Sequence, residues 1–329
     1  MTARLQIVDP GILSLVEDLG RPGNAAIGIS RSGALDRGAL RLANRLVGNP
    51  ETAAGLEVLA GGLVARFTES AWFAVSGALG TVRLEEPTRL GQDHAVPGAP
   101  IESHAPILAS AGAILRFGRP EVGLRYYLAV RGGIETPTVL GSRSADLLSG
   151  IGGEQLSAGD VLPIGAEPSI EIPAVDALTV VPPASGEVTV FVYAGPRSDW
   201  FTDAGRGAFF NTKWMVSPDA NRVGVRLQAV GSSDPAGAAD SADAAESGGA
   251  HPTAGVTLLQ RAVPGELPSE AMVPGAIQVS SSGQPTVLLA DHPATGGYPV
   301  IAVVADGSLD VFAQLRPGQR IVFRHAALT

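Results

Sequence analysis

Between residues 63 and 133 the chain reads "LVARF", "WFAVSG", "TVRLEE", "AILRFG" and "RYYLAVRGG". These are short apolar or alternating runs bounded by glycine or proline. That punctuation constrains the fold more than any other feature. A run of four to eight residues with period-two alternation is a strand with one buried face, and Gly or Pro at its end turns the chain. The runs stop near "DVLPIG" (160–165), and "AEPSIEIPAVDALTVVPPASGE" follows, rich in Pro and Ala. A second series starts at "VTVFVYAG" and continues through "VGVRLQ", "GAIQVS", "PTVLLA", "PVIAVVA", "DVFAQL" and "QRIVFRH". The simplest account is a mainly β protein of two β-rich domains, residues 1–175 and 176–329, joined within 166–187. At 329 residues each can bury its own core. Strands at this spacing predict barrels or sandwiches with a few short helices, not a parallel α/β sheet.

Two helices interrupt the strands. In "SGALDRGALRLANRLVGNP", Leu35, Ala39, Leu42 and Leu46 recur at helical spacing, with Asp36 at the start and Gly48-Asn49-Pro50 as the stop. Arg37, Arg41 and Arg45 form a second stripe, either a solvated basic face or a docking surface for an acidic partner. A second helix is expected from about Thr202 to Thr212. Residues 231–255, "GSSDPAGAADSADAAESGGAHPTAG", hold no large apolar side chain. Such a stretch cannot offset an ordering cost of about 1–2 kcal/mol per residue, so it reads as a flexible insertion in the second domain.

Composition removes several chemistries. The net charge is −9, whereas a nonspecific nucleic-acid binder needs surplus cations to replace counterions along the phosphates. Cysteine is absent, which excludes disulfides, thiolate catalysis and Cys-based metal sites. The five histidines form no HxH or HxxxH pair, so no metal is expected. Lys213 is the only lysine, and no P-loop or G-x-S-x-G occurs. The isolated chain is therefore expected to show no ATPase activity. With no signal peptide and no apolar run near ~20 residues, a cytoplasmic location without membrane contact is expected.

What remains are polar loops at strand ends. "GIGGEQLSAGD" (150–160) is either a tight turn or an anion-binding turn. In "ANRVGVRLQ", Arg222 and Arg226 are four apart, which on a strand puts both guanidiniums on one face. Such a pair can clamp a carboxylate or phosphate, or simply form surface salt bridges. A hairpin over "GAIQVSSSGQPTVLLAD" would bring Gln278, Gln284 and Asp291 together, and paired amides can hold a lactam or urea-like group. In "ADHPATGGYP" Asp291 closes one strand and Pro299 opens the next. Gly296 and Gly297 allow positive φ and close backbone approach, Thr295 offers a hydroxyl and Tyr298 an amphipathic ring. Arg222, Arg226, Gln278, Gln284, Asp291 and Thr295 are expected to line one pocket beside that glycine turn. The secondary candidates are Ser30, Ser32 and Asp36 in "GISRSGALD". His292 and His251 read as bystanders.

These loops, taken together, resemble the C subunit of the bacterial ATP-dependent 5-oxoprolinase, also called the KipA type or allophanate hydrolase subunit 2-like. The family's D-x-x-T-T-G-G-Y-P stands here as "DHPATGGYP", its S-N-R-M-G-x-R-L as "DANRVGVRL", and its G-x-x-Q-x-x-x-x-G-Q-P as "GAIQVSSSGQP". "SLVEDLGRPG", "GISRSGALD", "LRLANRLVGN", "YLAVRGGIETPTVLGSRS" and "GPRSDWF" follow the family in the same order, so the resemblance spans about Asp9 to Phe323. Ala294, Glu17, Asp219 and Ala145 depart from it, standing where Thr, Gln, Ser and Thr are usual.

The resemblance implies cyclophilin-like β-barrels, related to the carboxyltransferase region of biotin-dependent urea carboxylase. It implies a hydrolase subunit that opens 5-oxo-L-proline to L-glutamate with ATP, alongside a KipI-type partner (the B-type subunit) and an A-type subunit. A lactam resists water, so activation must precede attack and generates negative charge. Arg222, Arg226, Asp291 and Thr295 would then carry the catalytic chemistry, with Gln278, Gln284, Gly296, Gly297 and Tyr298 binding substrate. Two alternatives stay open: a regulatory protein that binds a KipI-type partner, and a carboxyltransferase-like component of a biotin-dependent urea or amide carboxylase.

Overall fold

The computed structural model of the chain describes residues 3–87, 98–174, 181–231 and 259–327. The expected boundary at 175/176 and, apart from Gly231, the expected insertion at 231–255 lie outside these residues. Two sheets dominate. The first takes nine strands from residues 4–163; six follow in the order Leu13–Glu17, Gly55–Leu59, Ile114–Val130, Leu63–Phe67, Arg4–Pro10 and Val161–Pro163, and Ala71–Glu85, Ala99–Pro100 and Ile107–Ala109 lie off this path. The long strand Ala71–Glu85 lies antiparallel along Ile114–Val130, from Phe73 opposite Val130 to Glu85 opposite Ile114, with its register shifted at irregularities between Gly77 and Val82. The second sheet is a closed barrel of seven strands from residues 188–325. Its first and last strands, Val188–Ala194 and Arg320–His325, close it as a parallel pair. The fold is thus mainly β, and among the described residues closure of the ring is complete in the second sheet only.

Alternation decides which faces turn inward. Leu63, Ala65 and Phe67 of "LVARF" are fully buried while Val64 and Arg66 are not. Val188, Val190 and Val192 point into the barrel, and Thr189 and Phe191 point out. Helix α1 (Arg37–Leu46) is capped by Asp36, whose Oδ1 accepts from Ala39 N at 2.8 Å. Its buried face holds Ala39, Leu40, Ala43 and Leu46. Leu42, expected inside, is only partly buried because Leu40 and Ala43 meet Tyr127, Ala74 and Ala129 instead. The arginine stripe is paired within the chain: Arg37 with Asp306 and Asp310, Arg41 and Arg45 with Glu51. Helix α2 (Asp203–Asn211) is capped by Thr202, and its Phe209 stacks on Phe323 inside the barrel.

The two sheets meet along a seam. Leu35, just ahead of α1, belongs to the apolar core of the barrel. From the barrel side, Gln314 Oε1 accepts from Leu124 N (2.9 Å) and Arg125 N (3.1 Å), and its Nε2 donates to Asp36 Oδ2 (2.8 Å) and the Arg125 carbonyl (3.1 Å). Arg125 Nη1 returns a bond to the Ala313 carbonyl at 2.7 Å. Gln314→Ala would strand the buried Arg125 N–H and the part-buried Leu124 N–H, each costing about 1–3 kcal/mol. The expected outcome is a loss of about 2–4 kcal/mol in urea denaturation; a change below about 0.5 kcal/mol would contradict this reading of the seam.

Candidate functional site at the seam

Arg222 precedes the strand Gly224–Ala229 and turns inward, 3% exposed. Its Nε donates to Asp291 Oδ2 at 2.8 Å and its Nη1 to Glu57 Oε1 at 2.7 Å. Its Nη2 donates to Asp291 Oδ1 at 3.0 Å and to the Gly33 carbonyl at 2.8 Å. Ser32 Oγ donates to the same Asp291 Oδ1 at 2.8 Å. Glu57 Oε2 accepts from Tyr127 Oη at 2.8 Å and Leu35 N at 2.9 Å. One guanidinium of the barrel half therefore ties a barrel carboxylate to a carboxylate and a carbonyl of the first half. Burial alone would raise the pKa of Glu57, but the Arg222 and Arg125 guanidiniums, the Leu35 N–H and the Tyr127 hydroxyl hold it below the usual value. Burial works against the Arg222 charge, and the carboxyl groups packed around it, with the hydrogen bonds to Asp291, overcome it.

The loops of the first half are fixed just as tightly. Gly20 and Gly33 lie back to back with φ of 81° and 94°. A Cβ on Gly20 would stand 2.4 Å from the Arg31 carbonyl oxygen, and one on Gly33 2.7 Å from Gly20 N, so only glycine fits either place. Asp18 accepts from Ser142 Oγ, Ser144 Oγ, Arg143 N and Gly20 N. Arg21 donates to the Ser144 carbonyl. Ser30 Oγ donates to Asp146 Oδ2 at 2.7 Å. Burial would raise the Asp146 pKa, but the bonds from Ser149, Ser30 and Leu148 hold it down.

These loops wall a cavity of 130 Å³, with Arg21, Asn24, Ser30 and Arg31 from the first half and Met272, His292 and Ala294 from the second. It lies one residue along the chain from Asp291. His292 is 3% exposed, and its Nδ1 lies 2.8 Å from the Pro293 carbonyl. A carbonyl can only accept, so Nδ1 carries the proton and Nε2 keeps its lone pair. Burial lowers the His292 pKa, leaving the ring neutral at pH 7. The cavity therefore offers guanidinium donors, a hydroxyl, an amide and a neutral imidazole. Its size falls below the ~300–1,000 Å³ usual for drug-sized ligands and suits a small amide.

The expected single pocket in the second domain is not formed. Arg222 and Asp291 are paired and buried, but Arg226 lies on the outer face of its strand, 64% exposed by side chain, 3.7 Å from Asp219. The two arginines share no face because the strand begins only at Gly224, after Arg222. Gln278 is buried, its Nε2 donating to the Tyr298 carbonyl at 3.2 Å, whereas Gln284 sits exposed in the hairpin turn. Thr295 is exposed and, with Gly296, pairs with Glu270–Ala271. Tyr298 is half exposed. Neither Gly296 nor Gly297 adopts positive φ. At Gly296 a Cβ would stand 2.4 Å from Gln278 Nε2, so any larger residue there would have to displace the end of that side chain. Of the secondary candidates, Ser30 lines the small cavity and Ser32 grips Asp291. Asp36 lies at the far end of the seam, on a 460 Å³ cavity with Ala39, Leu42, Val181 and Gln314, where burial raises its pKa to about 6. The glycines of 150–160 form a turn, with Gly150, Gly152 and Gly159 at positive φ.

The sequence reading missed Glu17, Glu57, Arg125 and Tyr127 as parts of the site. A signal was there for Glu57: a lone acid inside the apolar strand "GLEVL" must point either to solvent or to a buried cation, and its 2% exposure decides for the cation.

A closed barrel joined to a nine-stranded sheet through a buried polar seam is the architecture of a carboxyltransferase-type chain. The family of the carboxyltransferase domain, subdomains A and B, matches residues 27–325, and the chain belongs to it. It is 36% identical to the C subunit of 5-oxoprolinase from Escherichia coli (strain K12) over 98% of this chain and 92% of that protein. It is also 32% identical to the urea amidolyase of Lachancea kluyveri, over 97% of this chain and 17% of that protein. The crystal structure of TTHA0988 superposes with a TM-score of 0.77 at 33% identity, covering 98% of this chain. This chain spans about half of TTHA0988, 56% of its length.

Arg222→Met would leave Asp291 buried without a cation and Glu57 with Arg125 alone, at an expected cost of about 3–5 kcal/mol. Arg226→Met should change stability by no more than about 0.5 kcal/mol. Urea denaturation of the two variants side by side checks the contrast, and equal losses would refute it.

Proposed function

We propose that the chain is the C-type subunit of an ATP-dependent 5-oxoprolinase, opening 5-oxo-L-proline to L-glutamate with an A-type subunit and a KipI-type partner as the B-type subunit. The observation that carries this reading is the 36% identity running through 92% of the E. coli protein's own length. The chemistry of the seam cavity supports it. A lactam presents one N–H donor beside one carbonyl acceptor. Ser30 Oγ spends its proton on Asp146 and keeps lone pairs for the lactam N–H, and Arg21 and Arg31 face the space where carbonyl charge would develop. Neutral His292 presents a second acceptor. Arg222 and Asp291 serve this site by holding its two walls together. ATP is consumed by the assembled complex, which fits a cytoplasmic location.

The test is reconstitution with A- and B-type partners and assay of ATP-dependent glutamate release from 5-oxoproline. Activity is expected only when this chain is present, with no ATP turnover by the chain alone. Ser30→Ala should lower the rate at least ~10-fold while the complex still assembles. Full activity without this chain, or urea-dependent carboxylation with a biotin carboxylase partner in place of lactam opening, would overturn the reading.

A further inference from the structure

The seam buries three carboxylates, Glu17, Glu57 and Asp291, against two guanidiniums, Arg222 and Arg125. The count is one negative charge too many, and the hydrogen bonds show where the excess falls. Asp291 takes both arms of the Arg222 fork and the Ser32 hydroxyl. Glu57 takes Arg222 Nη1, the Tyr127 hydroxyl and the Leu35 N–H, with Arg125 Nε 3.3 Å away. Glu17 is fully buried, and neither of its oxygens has a hydrogen-bond partner among the described residues. Its one cationic neighbour among the described residues is Arg222 Nη2 at 3.3 Å. Both protons of that nitrogen are already directed elsewhere, to Asp291 Oδ1 and the Gly33 carbonyl. The Ser144 hydroxyl is near enough to favour an ionised Glu17, but its one proton is directed to Asp18 Oδ1 at 2.7 Å.

We propose that Glu17 is held as a neutral carboxylic acid, and that the proton it carries is a fixed component of the seam between the two halves of the chain. This does not depend on the proposed reaction. An ionised carboxylate in a dry interior needs donors, and among the described residues none spends its proton on Glu17, while the two carboxylates beside it have three each. Every charged group facing it works in the same frame: Arg222 favours ionisation, and Glu57 and Asp291 oppose it. Burial is the largest influence and raises the Glu17 pKa well above its usual value.

The proton is bound more tightly in the fold than in the unfolded chain, where a glutamate titrates near 4.5. Stability from this site is therefore complete below that pH and is lost as pH rises, until Glu17 itself ionises in the fold. Glu17→Gln keeps the shape and removes the titration. The experiment compares thermal midpoints of wild type and E17Q from pH 5 to 8, and records infrared spectra of protein labelled with 13C-glutamate at pH 7. The expected result is a protonated-carboxyl band that E17Q lacks. E17Q should also gain in midpoint over wild type by a margin that widens with pH to at least about 2 °C at pH 8. No such band at pH 7, or an E17Q midpoint below wild type by a pH-independent margin, would overturn the proposal. Should E17Q not fold, the band in the wild-type spectrum decides alone, since the label excludes Asp36.

Discussion

A single buried guanidinium, Arg222, is the interaction on which the rest of this architecture depends. Each sheet could close its own apolar core, but neither core specifies how the sheets face one another. Apolar burial is nondirectional. A guanidinium fork is directional, and here it reads Asp291 on its own side and Glu57 and Gly33 on the other. Gln314 and Leu35 then add hydrogen bonds and apolar area along the same line. The ionic cluster is not the source of net stability, because desolvation offsets much of the Coulomb gain. Its contribution is a unique register between the halves.

Register matters because the small cavity is shared. Ser30 and Arg31 reach it from a loop pinned by the Gly20–Gly33 crossing, and His292 reaches it from the residue after Asp291. A displacement of either wall would separate the hydroxyl from the imidazole. The same loop that carries Ser30 supplies Ser32 to Asp291, so positioning and candidate chemistry lie two residues apart. A 5-oxoprolinase reading of the site therefore places structural residues behind the cavity and the groups that would meet a substrate in front.

Much of the fold was legible in the sequence. Period-two runs such as "LVARF" located strands, and Asp36 and Thr202 marked two helix starts where their side chains do cap. The site was legible only in part. "GISRSGALD" and "ADHPATGGYP" stood out as polar loops, and both line the seam. Spacing failed for Arg222 and Arg226, because even spacing predicts a shared face only within one strand, and the strand starts between them. Tyr127 looked like an ordinary strand residue, and the lone acid in "GLEVL" marked Glu57 without naming its partner, Arg222, 165 residues further along the chain. Gly296 was visible as a place of close approach, but what approaches it, the Gln278 side chain, lies in tertiary packing.

Hydrogen–deuterium exchange of an Arg222→Met variant at neutral pH tests the central claim most directly. If Arg222 fixes the register of the two halves, protection should fall together in residues 30–35 and 289–292, while the long strands Ala71–Glu85 and Ile114–Val130 keep theirs. Exchange that rises only around residue 222, with both loops as protected as in the wild type, would contradict it.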